Sequence, residues 1–373
     1  MSTAEGRTAD ALVIGGGIHG CSAALQMAMR GLSVTLLEKD HVARHASGVN
    51  AGGVRRLGRD PAEVPISQAA WELWRDMPAL VDDDCGFAPS RHIKVARTEA
   101  EMDAARARVQ ALNRMGFTHE EVIDRDTLRE FLPAAAEDCL GALHVAGDGA
   151  ALPFRTTIAF KRRAETLGVT ILEDCRVAAV ERRGGTWRVT AAAGSFEAPV
   201  VVNCAGAWGG RLASMLGDDI PVKAHAPMLV ITQRMPKFVE PVVGALGAPL
   251  SFKQFDNGTV LVGGGVRGIA EPDANRTHLN MTGLAGNLRT ARDIFPIMRG
   301  ANVVRAWAGI EGYTPDNLPV ISSGGAAGVV HAFGFSAHGF QLAPAVGGIV
   351  AHLAMGETPN LPVEPFRHDR FAG

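Results

Sequence analysis

Three glycines near the start of the chain have the residue type and spacing of a phosphate-binding turn. Gly15, Gly17 and Gly20 follow the apolar run 11–14 and lead into a segment, 21–30, that is typical of a helix. Gly15 permits a tight turn, Gly17 lets the backbone approach a pyrophosphate, and Gly20 lets the helix pack closely on the strand. The free N–H groups at the start of the helix would then face the phosphates. A glycine-rich turn without a ligand is the alternative.

The next segment completes a β-α-β unit and supplies an acid. Gly31 closes the helix, and a second apolar run, 33–37, ends at Glu38. A carboxylate at this point can accept hydrogen bonds from both ribose hydroxyls and disfavours a 2′-phosphate. Because strand, glycines, helix, second strand and acid all agree, this stretch predicts a dinucleotide-binding, Rossmann-like domain.

Small residues also crowd the loop after Glu38, between flanking arginines. The loop runs from Lys39 to Arg56 and contains Ser47, Asn50 and Gly52. Small residues let a backbone lie beside a flat ring system, and Ser47 or the loop N–H groups can meet a phosphate. A flexible surface loop would look similar, but we expect a second contact with the dinucleotide here.

Composition limits the possible functions. The 373 residues, 47% hydrophobic and 20% charged, are enough for two intertwined domains with a large core. The net charge of -2 gives no electrostatic case for binding nucleic acid or an anionic membrane. The five cysteines form no CxxC pair, which favours reduced thiols in a cytoplasmic protein without a metal site. Residues 1–9 lack a signal-peptide core, and no membrane-spanning segment is expected.

The rest of the chain alternates between helical and strand patterns. Helices are expected at 62–80, 99–115, 126–131, 153–167 and 282–295, and from the turn at 334–341 to about 355. Hairpin turns are expected at Gly184-Gly185 and at Asp256-Asn257-Gly258. The alternating pattern of 218–305 indicates an antiparallel sheet in a second domain.

Four blocks, spread over nearly the whole chain, resemble the D-amino-acid oxidase, glycine oxidase and sarcosine oxidase (DAO) family of FAD enzymes. They are the glycine unit ending at Glu38, the loop 44–52, the Val-Asn-Cys-Ala-Gly-Ala-Trp turn ending at Trp208, and the block 307–320 with its partner 334–341. The resemblance implies FAD rather than NAD. It implies an α/β fold with an α+β second domain: a Rossmann-like FAD-binding domain with the GxGxxG motif, intertwined with an antiparallel-sheet substrate domain. The FAD-binding domain would comprise 1–80, 150–216 and 306–373, and the substrate-binding domain 81–149 and 217–305.

The resemblance also implies which residues hold the FAD. Val177 would lie by the adenine, and the turn 334–340 would lie at the flavin pyrimidine, where a helix N-terminus stabilises the anionic reduced flavin. The residues implied at the cofactor are Gly15, Gly17, Ile18, His19, Gly20, Glu38, Lys39, Arg44, Ala46, Ser47, Asn50, Ala51, Gly52, Val177, Cys204, Ala205, Gly206, Trp208, Gly309, Gly334, Phe335, Ser336, His338, Gly339, Phe340 and Gln341.

Within the family, the chain is most similar to the FAD subunits of bacterial opine oxidases, D-hydroxyproline dehydrogenases and cyanide-forming glycine dehydrogenases. The phrases 45–55 and 307–316 carry this likeness. Those enzymes work with partner subunits that hold iron–sulfur or other electron-transfer sites. The resemblance therefore implies a small amino-acid or amine substrate and electron-transfer partner subunits.

Two positions depart from the family pattern. In glycine oxidase an arginine at the position of Glu311 holds the substrate carboxylate; a glutamate cannot pair with a carboxylate, although it can meet an amine or a guanidinium. The carboxylate would then fall to one of Arg55, Arg56, Arg234, Lys253 or Arg267. No cysteine follows Cys204, so attachment of FAD through a cysteine, as in monomeric sarcosine oxidases, is not expected, whereas attachment through a histidine stays open.

The family reaction transfers a hydride from the carbon beside the amine nitrogen to flavin N5 and gives an imine that hydrolyses, so the protein mainly positions its substrate. The substrate-facing candidates are Glu311, Tyr313, Lys253, His338 and Arg55. Plainer interpretations are an exposed lysine, a structural histidine and a packed tyrosine. No catalytic triad is expected.

Three functions compete. The first is oxidation of the C–N bond of glycine, sarcosine, a D-amino acid, an imino acid or an opine-like secondary amine, with electrons passed either to oxygen or, as a β-type subunit, to a partner. The second is a flavin-binding subunit that only relays electrons, which reduction of the purified chain by substrate would reject. The third is an NAD-dependent dehydrogenase, which a yellow purified protein would exclude.

Overall fold

The computed structural model describes residues 7–372, which form twenty-one strands and ten α-helices. The strands are β1 (Arg7–Thr8), β2 (Ala11–Ile14), β3 (Val34–Leu37), β4 (Gly53–Val54), β5 (Ala88–Ala96), β6 (Glu121–Asp124), β7 (Gly141–Ala150), β8 (Thr170–Leu172), β9 (Val177–Arg183), β10 (Thr186–Ala191), β11 (Gly194–Ala198), β12 (Val200–Asn203), β13 (Lys223–Thr232), β14 (Val242–Ala245), β15 (Ser251–Gln254), β16 (Val260–Glu271), β17 (Arg276–His278), β18 (Val303–Ala308), β19 (Glu311–Tyr313), β20 (Val320–Ser323) and β21 (Val329–Phe333). The helices are α1 (Ile18–Ala28), α2 (Ala46–Val49), α3 (Val64–Trp74), α4 (Met77–Val81), α5 (Glu99–Arg114), α6 (Arg125–Phe131), α7 (Pro153–Thr166), α8 (Gly209–Met215), α9 (Met281–Ile294) and α10 (Gly339–Ala354).

A six-stranded sheet carries the glycine turn. Its order is β20-β21-β12-β2-β3-β8, and every pair is parallel except β20 with β21 at one edge. All four residues of β2 are buried, as expected of a strand that is covered on both faces. Helix α1 packs on α7 and α10, and α10 packs on α3. The Rossmann-like architecture predicted from the sequence is therefore confirmed.

Helix α1 begins earlier than the sequence suggested. It starts at Ile18, so that Gly20 lies inside it, whereas the helix was expected from residue 21. A Cβ on Gly20 would lie 1.9 Å from the carbonyl oxygen of Gly15. The absence of a side chain at Gly20 therefore lets the helix begin within the motif and directly after the strand.

A second sheet has four strands in the order β1-β11-β10-β9, and its apolar side chains pack against residues of the six-stranded sheet. Strands β9 and β10 form the antiparallel hairpin that was predicted at Gly184-Gly185. Gly184 has φ +60, the left-handed conformation that this tight turn requires. Val177, the first residue of β9, stands next to the main cavity of the molecule.

The largest sheet has eleven strands. Its main path is β18-β13-β16-β15-β14-β5-β7-β4, with β6, β17 and β19 attached to β7, β16 and β13. Its strands come from the segments 81–149 and 217–305, apart from β4, β19 and the last residues of β7 and β18. The division of the chain into two domains at those boundaries stays a prediction.

One pairing in this sheet was not expected. Strand β14, which the sequence pattern missed, pairs with β5 in parallel, whereas the other pairs along the main path are antiparallel. β5 and β14 belong to chain segments far apart in sequence, so no hairpin dictates their relative direction. The parallel pair joins the two segments into one sheet.

Two large cores stabilise the two halves. One lies among α1, α3, α7, α10 and the six-stranded sheet; the other lies between the eleven-stranded sheet and α9, where the Phe252 and Phe295 rings stack with centroids 4.8 Å apart. Between residues 7 and 372, no helix combines the length and apolar character needed to cross a membrane.

Candidate active site

A cavity of about 870 Å³ lies between the six-stranded and the eleven-stranded sheets. This is the size range of a site for a cofactor or a large ligand. The glycine turn and the loop after β3 form one end of it. One face of the eleven-stranded sheet forms the other end, and the turn 334–340 contributes to the wall.

The glycine turn presents bare backbone to the cavity. Gly15 has φ +114, and a Cβ there would lie 2.4 Å from the carbonyl oxygen of Cys204 on the neighbouring strand end. A Cβ on Gly17 would lie 3.0 Å from Ser47 Oγ, which accepts a hydrogen bond of 2.9 Å from the Ile18 N–H. The start of α1 and Ser47 therefore line the cavity, where the positive end of the helix dipole would favour an anion.

Glu38 lies at the end of β3, buried at the edge of the cavity. Its Oε2 accepts a hydrogen bond of 2.6 Å from the Gly16 N–H, and its Oε1 accepts one of 2.8 Å from the Asp40 N–H. Burial raises the pKa of Glu38, against these two hydrogen bonds, which favour the carboxylate. Each carboxylate oxygen keeps a further lone pair, so the side chain can still accept hydrogen bonds from a ribose.

A polar cluster beside Glu38 links the two halves of the molecule. Lys39 forms an ion pair with Asp40, and its Nζ lies 4.0 Å from the centroid of the Trp208 ring. Asn275, in the β16–β17 hairpin, accepts a hydrogen bond of 2.7 Å from Lys39 Nζ and donates one of 2.8 Å to Asp40 Oδ1. His45 Nε2 lies 2.9 Å from Asp40 Oδ2. The sequence pattern pointed to neither Asp40 nor Asn275.

The turn before α10 has an unusual backbone. Gly334, Ser336 and Ala337 have φ of +75, +52 and +68, and positive φ is costly for the two residues that carry side chains. The Ala337 N–H donates a hydrogen bond of 2.8 Å to Glu311 Oε1. The Phe335 ring stacks on His19 at the start of α1, with centroids 3.6 Å apart and planes within 3°. The turn is thus held against both Glu311 and the glycine motif.

His19 is deeply enclosed by this stacking. Burial lowers the pKa of His19 to about 3, so that the ring is neutral throughout the physiological range. A Cβ on Gly339 would lie 2.7 Å from His19 Nε2. His19 therefore fixes the approach of α10 to α1, in addition to being the helix-start residue that the sequence suggested.

Three basic side chains stand on one face of the eleven-stranded sheet. Residues that alternate with them point into the core under α9: Ile93, Val95, Val243 and Phe252. His92 and Lys94 on β5 and Lys253 on β15 therefore face the opposite side and line the cavity. Only β14 separates β5 from β15, so the two rows are roughly 10 Å apart.

These lysines lack acidic partners. Neither Lys94 nor Lys253 forms an ion pair within residues 7–372. Burial lowers the pKa of each to about 8, and the positive charge of Arg55 contributes at Lys94. Arg55 also lines the cavity, and its Nη1 donates only to the carbonyl oxygen of Leu57, at 2.7 Å. This end of the cavity therefore carries positive charge that the described part of the chain does not neutralise.

Arg59 and Glu63 connect this charge to the turn before α10. Arg59 is buried; its Nη1 donates a hydrogen bond of 2.8 Å to the His338 carbonyl oxygen and lies 3.7 Å from Glu63 Oε2. Glu63 Oε2 in turn lies 3.1 Å from His338 Nδ1. Burial opposes ionisation of Glu63, but His338, Arg59 and Arg55 outweigh it and hold the pKa of Glu63 below its usual range.

Glu311 stands at the cavity rim with Arg267 and Tyr313. The guanidinium carbon of Arg267 lies 4.0 Å from the centroid of the Tyr313 ring. Burial raises the pKa of Glu311 to about 7, against the opposing effects of the Ala337 hydrogen bond and the Arg267 charge. Near neutral pH this carboxyl group is therefore protonated in part of the molecules and can both donate and accept hydrogen bonds.

Comparison with known proteins identifies the family. The sequence pattern of the DAO family, described as FAD dependent oxidoreductase, matches residues 10–353. The chain belongs to the DAO family of FAD-dependent oxidoreductases. The predicted family, the FAD cofactor and the assignment as an oxidoreductase are thereby confirmed.

Relatives of this DAO-family chain include components of larger enzymes. It is 24% identical to the beta subunit of sarcosine oxidase from Rhizobium meliloti, covering 97% of this chain and 88% of that one. It is 27% identical to a subunit of opine oxidase from Rhizobium meliloti, covering 83% of this chain and 84% of the other. Among solved structures it resembles L-proline dehydrogenase from P. horikoshii, with a TM-score of 0.90, 27% identity and 98% of each chain covered.

Most residues that the DAO resemblance implied at the FAD line the cavity. Gly20 and Gln341 are the exceptions. Gly20 acts through helix packing. Gln341 is fully buried, where its Oε1 accepts hydrogen bonds of 3.0 Å from both Arg59 Nη2 and Ser67 Oγ. Individual contacts of the lining residues with FAD stay predictions.

The residues present fit FAD. The start of α1 supplies N–H groups for a pyrophosphate, and Glu38 follows the second strand where a ribose would lie. Trp208 Nε1 is a buried donor at the cavity with no hydrogen-bond partner within residues 7–372. An unsatisfied donor of this kind is costly unless a ligand supplies the acceptor. In the described part of the chain, no cluster of three or more His, Cys, Asp or Glu side chains is placed to hold a metal ion.

The structure also sorts the substrate-facing candidates. Arg55, Lys253, Arg267, Glu311, Tyr313 and His338 all line the cavity. Arg56 and Arg234 do not; Arg56 Nε instead lies 2.9 Å from Asp148 Oδ1 in a buried ion pair. Sequence reasoning missed Arg59, Glu63, His92 and Lys94. The only local signals were the four-residue spacing of Arg59 and Glu63 and the alternation of His92 and Lys94 along a strand.

Proposed function

We propose that this chain oxidises the C–N bond of a small amino acid or amino-acid-derived secondary amine that carries a carboxylate. The observation that carries the proposal is a group of cations at the sheet end of the cavity that form no ion pair in the described chain: Arg55, Lys94 and Lys253. A carboxylate is the anion that would satisfy them, because charge-assisted hydrogen bonds are strongest in an enclosed site.

In this proposal the sheet face and Arg55 bind the carboxylate. Lys253 and Lys94 approach it from β15 and β5, which fixes the substrate along the sheet. The arginine that holds the substrate carboxylate in glycine oxidase is replaced here by Glu311. In this proposal the carboxylate therefore lies on the side of the cavity opposite Glu311. The free oxygen of Glu311, whose partner oxygen accepts the Ala337 N–H, is available for an amine N–H.

When bound, FAD supplies the chemistry by accepting a hydride from the carbon beside the amine nitrogen. The chain's own contribution is to hold that carbon in place and to exclude competing water. The turn 334–338, fixed by Glu311 and by the stack of Phe335 on His19, is the element that would place the two reactants together.

A second candidate concerns the electron acceptor. The names of two relatives, from a sarcosine oxidase and an opine oxidase, designate subunits rather than whole enzymes. These names support a role for this chain as the FAD-carrying β-type subunit of an assembly that passes electrons to a partner rather than to oxygen.

Anaerobic flavin bleaching tests both proposals. The purified full chain with its FAD is mixed with glycine, sarcosine, D- and L-proline, D-hydroxyproline, D-amino acids, opines and the matching amines without a carboxylate. Bleaching by a carboxylate-bearing amine, but not by its decarboxylated counterpart, supports the proposed substrate class; equal bleaching by both contradicts it. Rapid return of colour in air indicates an oxidase, and slow return indicates a dehydrogenase that needs a partner.

A further inference from the structure

His338 is fixed at the cavity by contacts at both its backbone and its ring. Arg59 Nη1 donates to its carbonyl oxygen at 2.8 Å, and Glu63 Oε2 lies 3.1 Å from its ring Nδ1. The residue immediately precedes α10 and follows two residues with positive φ, Ser336 and Ala337. The position and orientation of this ring are therefore determined by the fold.

The hydrogen bond to Glu63 selects one tautomer of the ring. Glu63 is buried and ionised, because His338, Arg59 and Arg55 hold its pKa below the usual range despite its burial. A carboxylate can only accept, so His338 must donate from Nδ1. Neutral His338 then carries its proton on Nδ1 and a lone pair on Nε2. Nε2 has no hydrogen-bond partner within residues 7–372, and the residue lines the cavity.

The surroundings of the ring favour its neutral form, which is the form that can accept a proton. Burial lowers the pKa of His338, and the positive charges of Arg55 and Arg59 lower it further. The hydrogen bond to Glu63 acts in the opposite direction. His92 and Lys94 on β5 line the same cavity, and His19 lies beyond Phe335. At pH 7 the ring is therefore mainly neutral. A substrate carboxylate on Arg55 would offset one positive charge nearby and strengthen the base.

We infer that His338, oriented by Glu63, is the base that removes the proton from the bound substrate's ammonium group. In this step one N–H bond of the ammonium breaks and an Nε2–H bond forms on His338. The electron pair stays on the substrate nitrogen, and nothing is oxidised or reduced. The nitrogen lone pair is needed because only the free amine can form a C=N bond as the hydride leaves. Glu63 acts as a positioning residue, since it touches His338 and not the reacting atoms.

The inference rests on the proposed amine substrate. It gives a role to two buried charged residues, Glu63 and Arg59, that take no part in the proposed binding of the carboxylate. Glu63 is fully buried, with Oε1 unsatisfied within the described chain, which is a costly arrangement for a carboxylate. Arg59, also buried, donates hydrogen bonds to the carbonyl oxygens of His338 and Arg55 and to Gln341. Together they form a network around one histidine ring, and that ring stands at the proposed reaction site.

The first test follows flavin reduction by stopped flow, using the substrate that bleaches the wild-type holoprotein. His338→Asn keeps a donor close to the position of Nδ1 but removes the base. We expect reduction at pH 7 to slow by about 10²- to 10⁴-fold, to rise with pH as free substrate amine becomes available, and to recover with added imidazole. His278→Asn, an exposed histidine on β17, is the matched control and should behave as wild type. An unchanged pH profile and rate in His338→Asn would overturn the inference.

The second test does not use activity. Nitrogen-15 NMR of the histidine rings in the wild-type holoprotein should show His338 as the Nδ1–H tautomer. Glu63→Gln should shift the ring toward the Nε2–H form, because an amide can donate to Nδ1. An Nε2–H tautomer in the wild type overturns the inference even if substrates bleach the flavin. If no amine bleaches the flavin, the proposed function fails, and the tautomer measurement still decides the orientation of the ring.

Discussion

The end of the cavity predicted to hold the dinucleotide is made from neighbours in sequence, whereas the end proposed for the substrate is made from neighbours in a sheet. Gly15, Gly17 and Glu38 belong to one β-α-β unit. His92, Lys94 and Lys253 come from strands far apart in the chain that meet only through β14. The first end is constrained by backbone conformation, and the second end is constrained by strand register.

This difference affects how each end of the cavity can attract an anion. At the glycine turn, the N-terminus of α1 provides positive potential from the backbone. A sheet face has no such backbone potential because its N–H and C=O groups pair with neighbouring strands. Binding of an anion there requires side-chain cations, which is what Lys94 and Lys253 supply.

The largest expected effect is at the dinucleotide end. Gly15→Ala places a Cβ 2.4 Å from the Cys204 carbonyl oxygen and at a φ of +114, so the backbone must move. We expect the purified variant to lose its FAD, seen as a fall in the ratio of flavin to protein absorbance. Gly185→Ala, with open space around its Cβ, is the matched control and should stay yellow. A yellow Gly15→Ala protein would show that the turn does not constrain the cofactor.

Two adjacent arginines provide the next test, at the substrate end. Arg55→Gln removes a cavity cation, so the Kd of the reducing substrate should rise about 10- to 100-fold, as for loss of a charged hydrogen bond. Arg56→Gln breaks the buried pair with Asp148 and should lower the free energy of unfolding by about 3–5 kcal/mol. Kd from flavin reduction and Tm from thermal unfolding separate the two outcomes. If Arg55→Gln binds substrate as tightly as wild type, the carboxylate does not lie there.

A smaller effect follows from Glu311. In the folded chain its pKa is raised from 4.5 to about 7, so the folded state holds this proton at pH values where the unfolded state has lost it. The free energy of unfolding should therefore fall as pH rises from about 4.5 to 7, and this contribution should level off above pH 7. In Glu311→Gln, which can still accept the Ala337 hydrogen bond, urea unfolding should show a flatter slope over this window. Equal slopes would contradict the raised pKa.

The smallest expected effect concerns the contact between the two halves. Asn275→Ala removes side-chain hydrogen bonds to Lys39 and Asp40, and the free energy of unfolding should fall by about 1–2 kcal/mol. Asn275 has φ +55, so Asn275→Gly, which tolerates that conformation, should lose less than the alanine variant. Urea unfolding of the pair measures the difference. Equal losses would indicate that backbone conformation contributes nothing at this position.

Prediction from sequence succeeded where residues that act together are close in the chain. The β-α-β unit, the hairpin at Gly184 and the turn that starts α10 all depend on local spacing. The start of α1 was misplaced because propensity alone does not show that Gly20 can sit inside the helix against Gly15. That contact is a property of the packed turn.

Prediction failed where register or backbone strain decides. Nothing in the sequence around Lys94 shows that it shares a face with Lys253, because this depends on the unexpected parallel pairing of β5 with β14. The positive φ of Ser336 and of Ala337 could not be predicted either, because neither serine nor alanine favours this backbone conformation. His338 was named as a candidate, but its link to Glu63 spans 275 positions.

The packing of α1 on α10 and the stack of His19 on Phe335 also affect synthesis of the chain. During translation the glycine turn leaves the ribosome long before Phe335 and α10, which complete its surroundings. Until α10 has emerged from the ribosome, the nascent chain lacks one wall of the cavity. Cofactor loading is therefore expected only after α10 has been synthesised, and a protein truncated before residue 335 should be made without flavin.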